Sequence, residues 1–152
     1  MNFKEISARI SEKNQHAGLF IEQILTISAL WDDLIDLDRP VTETEINQAF
    51  EIMLIHLPRN LFYSSHFSEL NPILISAIQN WYIANRVEKD KRNELYPISF
   101  IIRSSYVDLI TMTAYIVGGT PFAQEIGTYS RVFAHDEGLP GYTESLNKQE
   151  VY

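Results

Sequence analysis

Cysteine is absent from all 152 residues, which excludes disulfides and thiolate–metal sites and agrees with a reducing compartment. Basic residues are scarce: 12 Lys and Arg stand against 20 Asp and Glu, a formal charge of −8. A surface of that sign does not suit a nucleic-acid backbone as partner. The most hydrophobic runs are interrupted by Asp, Arg or Gln well short of a membrane span, and Met1-Asn2-Phe3-Lys4-Glu5 lacks the apolar stretch of a signal peptide. Two-residue alternation, internal repeats, low-complexity tracts and glycine-rich phosphate loops are also missing. These absences predict a soluble, cytoplasmic, single-domain protein with neither nucleic acid nor membrane as partner.

What is present is a helical core. Hydrophobic residues make up 45% of the chain, with eight Phe, eight Tyr and two Trp, enough to fold around a buried interior. Phe3, Ile6 and Ile10 recur at helical spacing and predict a first helix ending near Gly18. Phe20, Ile24, Ile27, Trp31 and Leu34 continue the rhythm until Arg39-Pro40. Thr42 and Glu45 have the spacing of a capping box, flanked by Val41 and Ile46 at the staple positions. Ile46, Phe50, Met53 and Leu57 then predict one inward apolar face, ended by Pro58. A helical turn around Leu61, Phe62 and Tyr63 follows, and Asn71-Pro72 reads as a further helix start, with Leu74, Ile78 and Trp81 inward. Past a charged loop from Glu88 to Glu94, Pro97 opens a helix through Phe100, Val107, Ile110 and Ala114 that Gly118-Gly119 closes. Thr120-Pro121 caps a last helix with Phe122, Ile126, Tyr129 and Phe133. The expectation is an all-α fold, a compact single-domain bundle of five to six helices over residues 1–138, with residues 139–152 as a loosely attached C-terminal arm.

The segment Trp31-Asp32-Asp33-Leu34-Ile35-Asp36-Leu37-Asp38 holds the chain's most conspicuous chemistry. Like charges beside an apolar face are costly unless a cation, an arginine or open water compensates. On a helix, Asp32, Asp33 and Asp36 share one end of one face, and Asp-Asp-x-x-Asp is a spacing by which carboxylates hold Mg²⁺ against a diphosphate. Extending the Leu74, Ile78, Trp81 stripe reaches Asn85 and Glu88, while Arg103 falls on the face of Phe100, Val107 and Ile110 and Asp108 interrupts an apolar helix. An inward arginine needs a carboxylate or phosphate partner. The candidate set is therefore Asp32, Asp33, Asp36 and Glu88 for a metal such as Mg²⁺, Arg103 for phosphate, and Asn85 and Asp108 in the same polar cluster. The four histidines, His16, His56, His66 and His135, show no paired spacing and read as surface or packing residues.

The Asp32-Asp33-x-x-Asp36 segment resembles the first aspartate-rich motif of terpenoid synthases. Asn80, Ala84 and Glu88 keep the spacing of their second metal motif without its serine. The size of the chain and its acidic pairs are also similar to all-α nucleotide pyrophosphohydrolases, although no Glu-x-x-Glu occurs. Across nearly its whole length, through Trp31 to Asp36, Pro58 to Tyr63, Asn80 to Glu88, Arg103 to Leu109 and Gly118-Gly119, the chain resembles a family of small all-α proteins encoded by tailed phages. That resemblance implies a bacterial cytoplasm during infection and an accessory or assembly role. Two functions follow as expectations. One is a non-catalytic interaction protein, a homo-oligomer through an apolar helix face or a partner of another phage protein. The other is a Mg²⁺-dependent enzyme acting on a diphosphate or nucleotide. The first expects Arg103 to be sealed against a carboxylate, the second a pocket shared by Asp33, Asp36, Glu88 and Asp108.

Overall fold

Residues 1–148 are described by the computed structural model, and among them every regular element is helical. Helix α1, Phe3–Lys13, is followed at once by α2, Gln15–Asp36, because the Asn14 side chain accepts the Ala17 N–H at 3.1 Å and so caps the new helix. The predicted stop at Gly18 is therefore corrected: Gly18 lies inside α2, where it allows the backbone of α1 to come close. A Cβ there would sit 2.9 Å from Ser11 Cα. Helix α2 ends with Leu37 in the left-handed region at φ 57°.

The capping box forms as the sequence predicts. Thr42 Oγ1 accepts the Glu45 N–H at 3.2 Å, and the Thr42 N–H donates to Glu45 Oε2 at 2.8 Å, opening α3, Glu43–Glu51. A π-turn, Ile52–His56, then leads into α4, Leu57–Arg59. In an ordinary turn the Pro58 ring would press on the carbonyl four residues back, that of Leu54, and the wider turn relieves that clash. Asn60 caps the short α5, Leu61–Ser65, through a 2.9 Å bond from the Tyr63 N–H, and its amide donates to the His16 carbonyl.

Helix α6, Phe67–Lys89, begins before the predicted Asn71-Pro72 start, and Pro72 sits inside it. A 3₁₀ turn, Asn93–Leu95, leads into α7, Tyr96–Ile102, and α8 runs from Tyr106 to Ala134. The single helix expected from Pro97 to Gly118 is thus two. The break falls at Ser104-Ser105, where the Ser105 hydroxyl donates to the Ile102 carbonyl at 2.7 Å and competes with the helix ladder. Gly119, at φ 79° and ψ −175°, interrupts α8 where the glycine pair predicted a stop. The expected arm is helical over α9, Gly138–Lys148, with Tyr142 buried; residues 149–152 lie outside the described residues.

The fold is all-α, with six helices of nine residues or more among the described residues: α1, α2, α3, α6, α8 and α9. The chain divides into two compact units. One is Lys4–Phe67, whose core holds Ile6, Ile10, Phe20, Ile21, Ile24 and Phe62. The other comprises Met1–Phe3 and the chain from Ser68 onward, built around Leu70, Tyr96, Leu109, Ile110, Phe122 and Ile126. Phe3 belongs to this second unit through edge contacts with Phe133 and Tyr106. The stretch Asn93–Lys148 is apolar enough by length and composition to pass for a membrane span, a test that core helices also pass, and 39% of its apolar window is buried.

Candidate functional site

Polar side chains converge at one place in the second unit. Asn85 and Glu88 lie three residues apart on α6 and so share a face, and Ser99 and Arg103 lie four apart along α7 and its C-terminal end. The Arg103 guanidinium donates to Glu88 through Nε at 3.0 Å and through Nη2 at 2.6 Å, and Nη2 also donates to Asn85 Oδ1 at 2.7 Å. From α9, the Tyr142 hydroxyl donates to Glu88 and lies 2.9 Å from Ser99 Oγ. Arg103 and Glu88 keep 21% and 16% of their side-chain surface exposed, so the pair is largely withdrawn from solvent. The Tyr142 ring packs on Phe100, 5.0 Å between centroids, and Phe100 also neighbours His135 at 4.8 Å.

Electrostatics follow this geometry. Burial works against the Arg103 charge, but the Glu88 carboxylate beside it outweighs that effect and holds the guanidinium above its usual pKa. Burial, and then the hydrogen bond to Glu88, push the Tyr142 phenol up to about 12. Burial and then the nearby Arg131 charge lower the pKa of His135. For Tyr142 the sign of the linkage is clear. The folded state keeps its phenolic proton above pH 10.0, where the unfolded chain releases it, so the stability it confers is present below pH 10.0 and is lost as the pH rises toward about 12. Alkaline denaturation followed by tyrosine absorbance is expected to show a drop in stability across that window, and Tyr142→Phe to reduce it, the remainder belonging to Tyr63, whose phenol is also pushed up by burial. An unchanged profile in Tyr142→Phe would contradict the assignment.

The other candidates pair elsewhere. Asp108, in the first turn of α8, binds Arg131 at 2.7 Å, and Arg131 also donates to the Ser104 carbonyl. Asp108 edges a shallow cleft of about 260 Å³ that also includes Pro72, Ser76, Asn80 and Ser105. Asn80 does not face the polar cluster, because its amide donates to Ser105 Oγ at 2.9 Å. In the Lys4–Phe67 unit, Asp33 accepts from Arg39 Nε at 2.9 Å, and the same guanidinium reaches Glu45 at 2.8 Å. Arg39 thereby ties the end of α2 to the capping box, and its hydrogen bond, with those from Thr42, lowers the Glu45 pKa to about 2. Asp32 and Asp36 flank Asp33 on the last turns of α2. Among the described residues, no group of three or more His, Asp or Glu is placed to hold a metal ion. Glu88 belongs to a different unit from Asp32, Asp33 and Asp36.

Sequence periodicity places Arg103, Glu88 and Asn85 together but does not find Tyr142 or Ser99. A signal for Tyr142 exists in Leu139, Tyr142 and Leu146, whose i, i+3, i+7 spacing marks an apolar helix stripe in the supposed arm.

A second feature is apolar. The Phe50 and Met53 side chains, predicted to face inward, are 56% and 39% exposed, while Ala49 and Ile52 on the adjacent stripe are buried. Both stripes are apolar at helical spacing, so periodicity alone does not choose between them. Together Met53, Leu57, Pro58, Tyr63, Ser64 and Phe67 line an open groove of about 520 Å³. Compared with protein-family models, with characterised proteins and with solved structures, the chain matches none of them.

Proposed function

We propose that this chain is a non-catalytic accessory or assembly protein that acts through an apolar face of its Lys4–Phe67 unit. The observation that carries this reading is a contrast between its charges and its apolar surface. Arg103, the candidate phosphate ligand, is closed against Glu88, Asn85 and Tyr142, and Asp33 and Asp108 are engaged by arginines. Large apolar side chains, by contrast, stand open on the α3–π-turn segment beside a groove. Exposed apolar patches of this kind mark interaction surfaces in stable proteins. The phage resemblance supports the same reading by implying an assembly setting.

The test sets the chemistry against the surface. With Mg²⁺ and pyrophosphate or a nucleoside triphosphate, the protein is expected to release no phosphate, and its thermal midpoint is expected not to rise, since a ligand that binds the folded state must raise it. Phosphate release that disappears in an Asp33→Asn/Asp36→Asn variant would overturn the proposal in favour of a Mg²⁺-dependent enzyme.

A further inference from the structure

We infer that the occupant of the apolar face is a second copy of this chain, an inference that rests on the interaction reading above and names its partner. Phe50, Met53, Leu54 and Leu57 have the i, i+3, i+4, i+7 spacing of a helix stripe made for docking. The π-turn carries Leu54 outward, 71% exposed, and its sequence neighbour Met53 lines the groove with Leu57, Pro58, Tyr63 and Phe67. An isologous contact uses such a pair of features, each copy offering its projection to the groove of the other.

Area and charge favour the same partner. The exposed parts of Phe50, Met53, Leu54 and Phe67, with Pro58 and the half-buried Leu57 and Tyr63, come to roughly 600 Å² of apolar surface. Two such faces meet the lower bound of a specific interface, about 1,200 Å² in total, and the patch reaches the upper end, about 600 Å², of what a monomer usually shows. Residues 50–67 carry one carboxylate, Glu51, beside Arg59 and two histidines, so the face is close to neutral in a chain of net charge −8. Two copies of so acidic a chain approach each other at least cost through such a face, with the bulk of their carboxylates kept apart.

Sedimentation equilibrium over a concentration series tests this. The wild type is expected to rise from the 17.6 kDa of one chain to twice that mass. Leu54→Glu is expected to remain at the mass of one chain throughout, because a carboxylate cannot enter the apolar groove without its water. Leu54 is mostly solvent-exposed, so the variant keeps the thermal midpoint that the wild type shows at dilutions where it is monomeric. Ile98→Glu, at an exposed position in the other unit, serves as control and is expected to remain dimeric. A wild type that stays monomeric at the highest concentration overturns the proposal, and so does a dimer that Leu54→Glu leaves intact. A monomeric wild type that floats with anionic vesicles assigns the face to lipid and also overturns it. If the monomer is inert toward Mg²⁺ and pyrophosphate, only the choice of partner fails; if it releases phosphate, the interaction reading fails as well.

Discussion

Arg103→Met is expected to destabilise the protein by about 3 kcal/mol, the cost of breaking a largely buried ion pair from one side. Methionine fills much of the same volume, so the loss comes from the polar groups it leaves behind. Glu88, 16% exposed, keeps only the Tyr142 hydroxyl, and Asn85 Oδ1 loses a 2.7 Å donor. For a chain of this size that corresponds to a drop in thermal midpoint of roughly 6–12 °C. Arg103→Lys retains the charge without the planar fork and is expected to cost less, since an ammonium can serve Glu88 but not Asn85 as well. The Arg103→Met/Glu88→Leu double variant is expected to be more stable than the two single losses summed, because it leaves no uncompensated charge. If Arg103→Met unfolds at the wild-type temperature, the network is incidental, and the guanidinium is available to a ligand.

Gly18→Ala is the second large effect, and its sign is what matters. At an open helix position the change stabilises by up to about 1 kcal/mol, since alanine is the better helix former. At Gly18 the new Cβ would lie 1.7 Å from Ser11 Oγ and 2.9 Å from Ser11 Cα. The hydroxyl can rotate away, but the backbone of α1 moves only if α1 shifts off α2. A net destabilisation of about 2 kcal/mol is expected from that overpacking. Ser11→Gly in the same chain is expected to recover part of it, by removing Oγ while leaving the backbone of α1 where it is. Gly141→Ala in α9, where a Cβ meets nothing within 4 Å, is the control and is expected to stabilise slightly. Denaturant midpoints of the wild type and these variants check the set. A Gly18→Ala protein as stable as the wild type would mean that α1 and α2 do not approach closely at this point.

The same glycine shows where sequence reasoning reaches and where it stops. Helix identity was legible because it rests on local chemistry: the Thr42–Glu45 box forms as spelled, and Gly119 breaks the helix where a glycine pair stands. Gly18 looks like another stop, but Asn14 already caps the next helix, and the glycine answers to a neighbour across space. Phe50 and Met53 fail for a related reason. Two apolar stripes run side by side along α3 and the π-turn after it, and which one is buried is decided by what that segment packs against. Part of the polar cluster was legible, because extending the α6 and α7 stripes brings Asn85, Glu88 and Arg103 to inward positions. Tyr142 was not, because polar residues around Leu139 and Leu146 mask a short stripe. That omission matters chemically, since the phenol takes up Glu88 and makes the cluster a closed lock between helices rather than an open acid.

Asp33, Glu88, Arg103 and Asp108 are paired within the chain, and residues 50–67 form the surface proposed to meet a second copy. Amide hydrogen exchange, compared between dilute and concentrated protein, addresses both halves at residue resolution. Protection is expected to grow with concentration across residues 50–67 and to stay unchanged around Glu88, Arg103 and Tyr142. Exchange in residues 50–67 that is indifferent to concentration, or protection that appears instead around Arg103, would contradict the account.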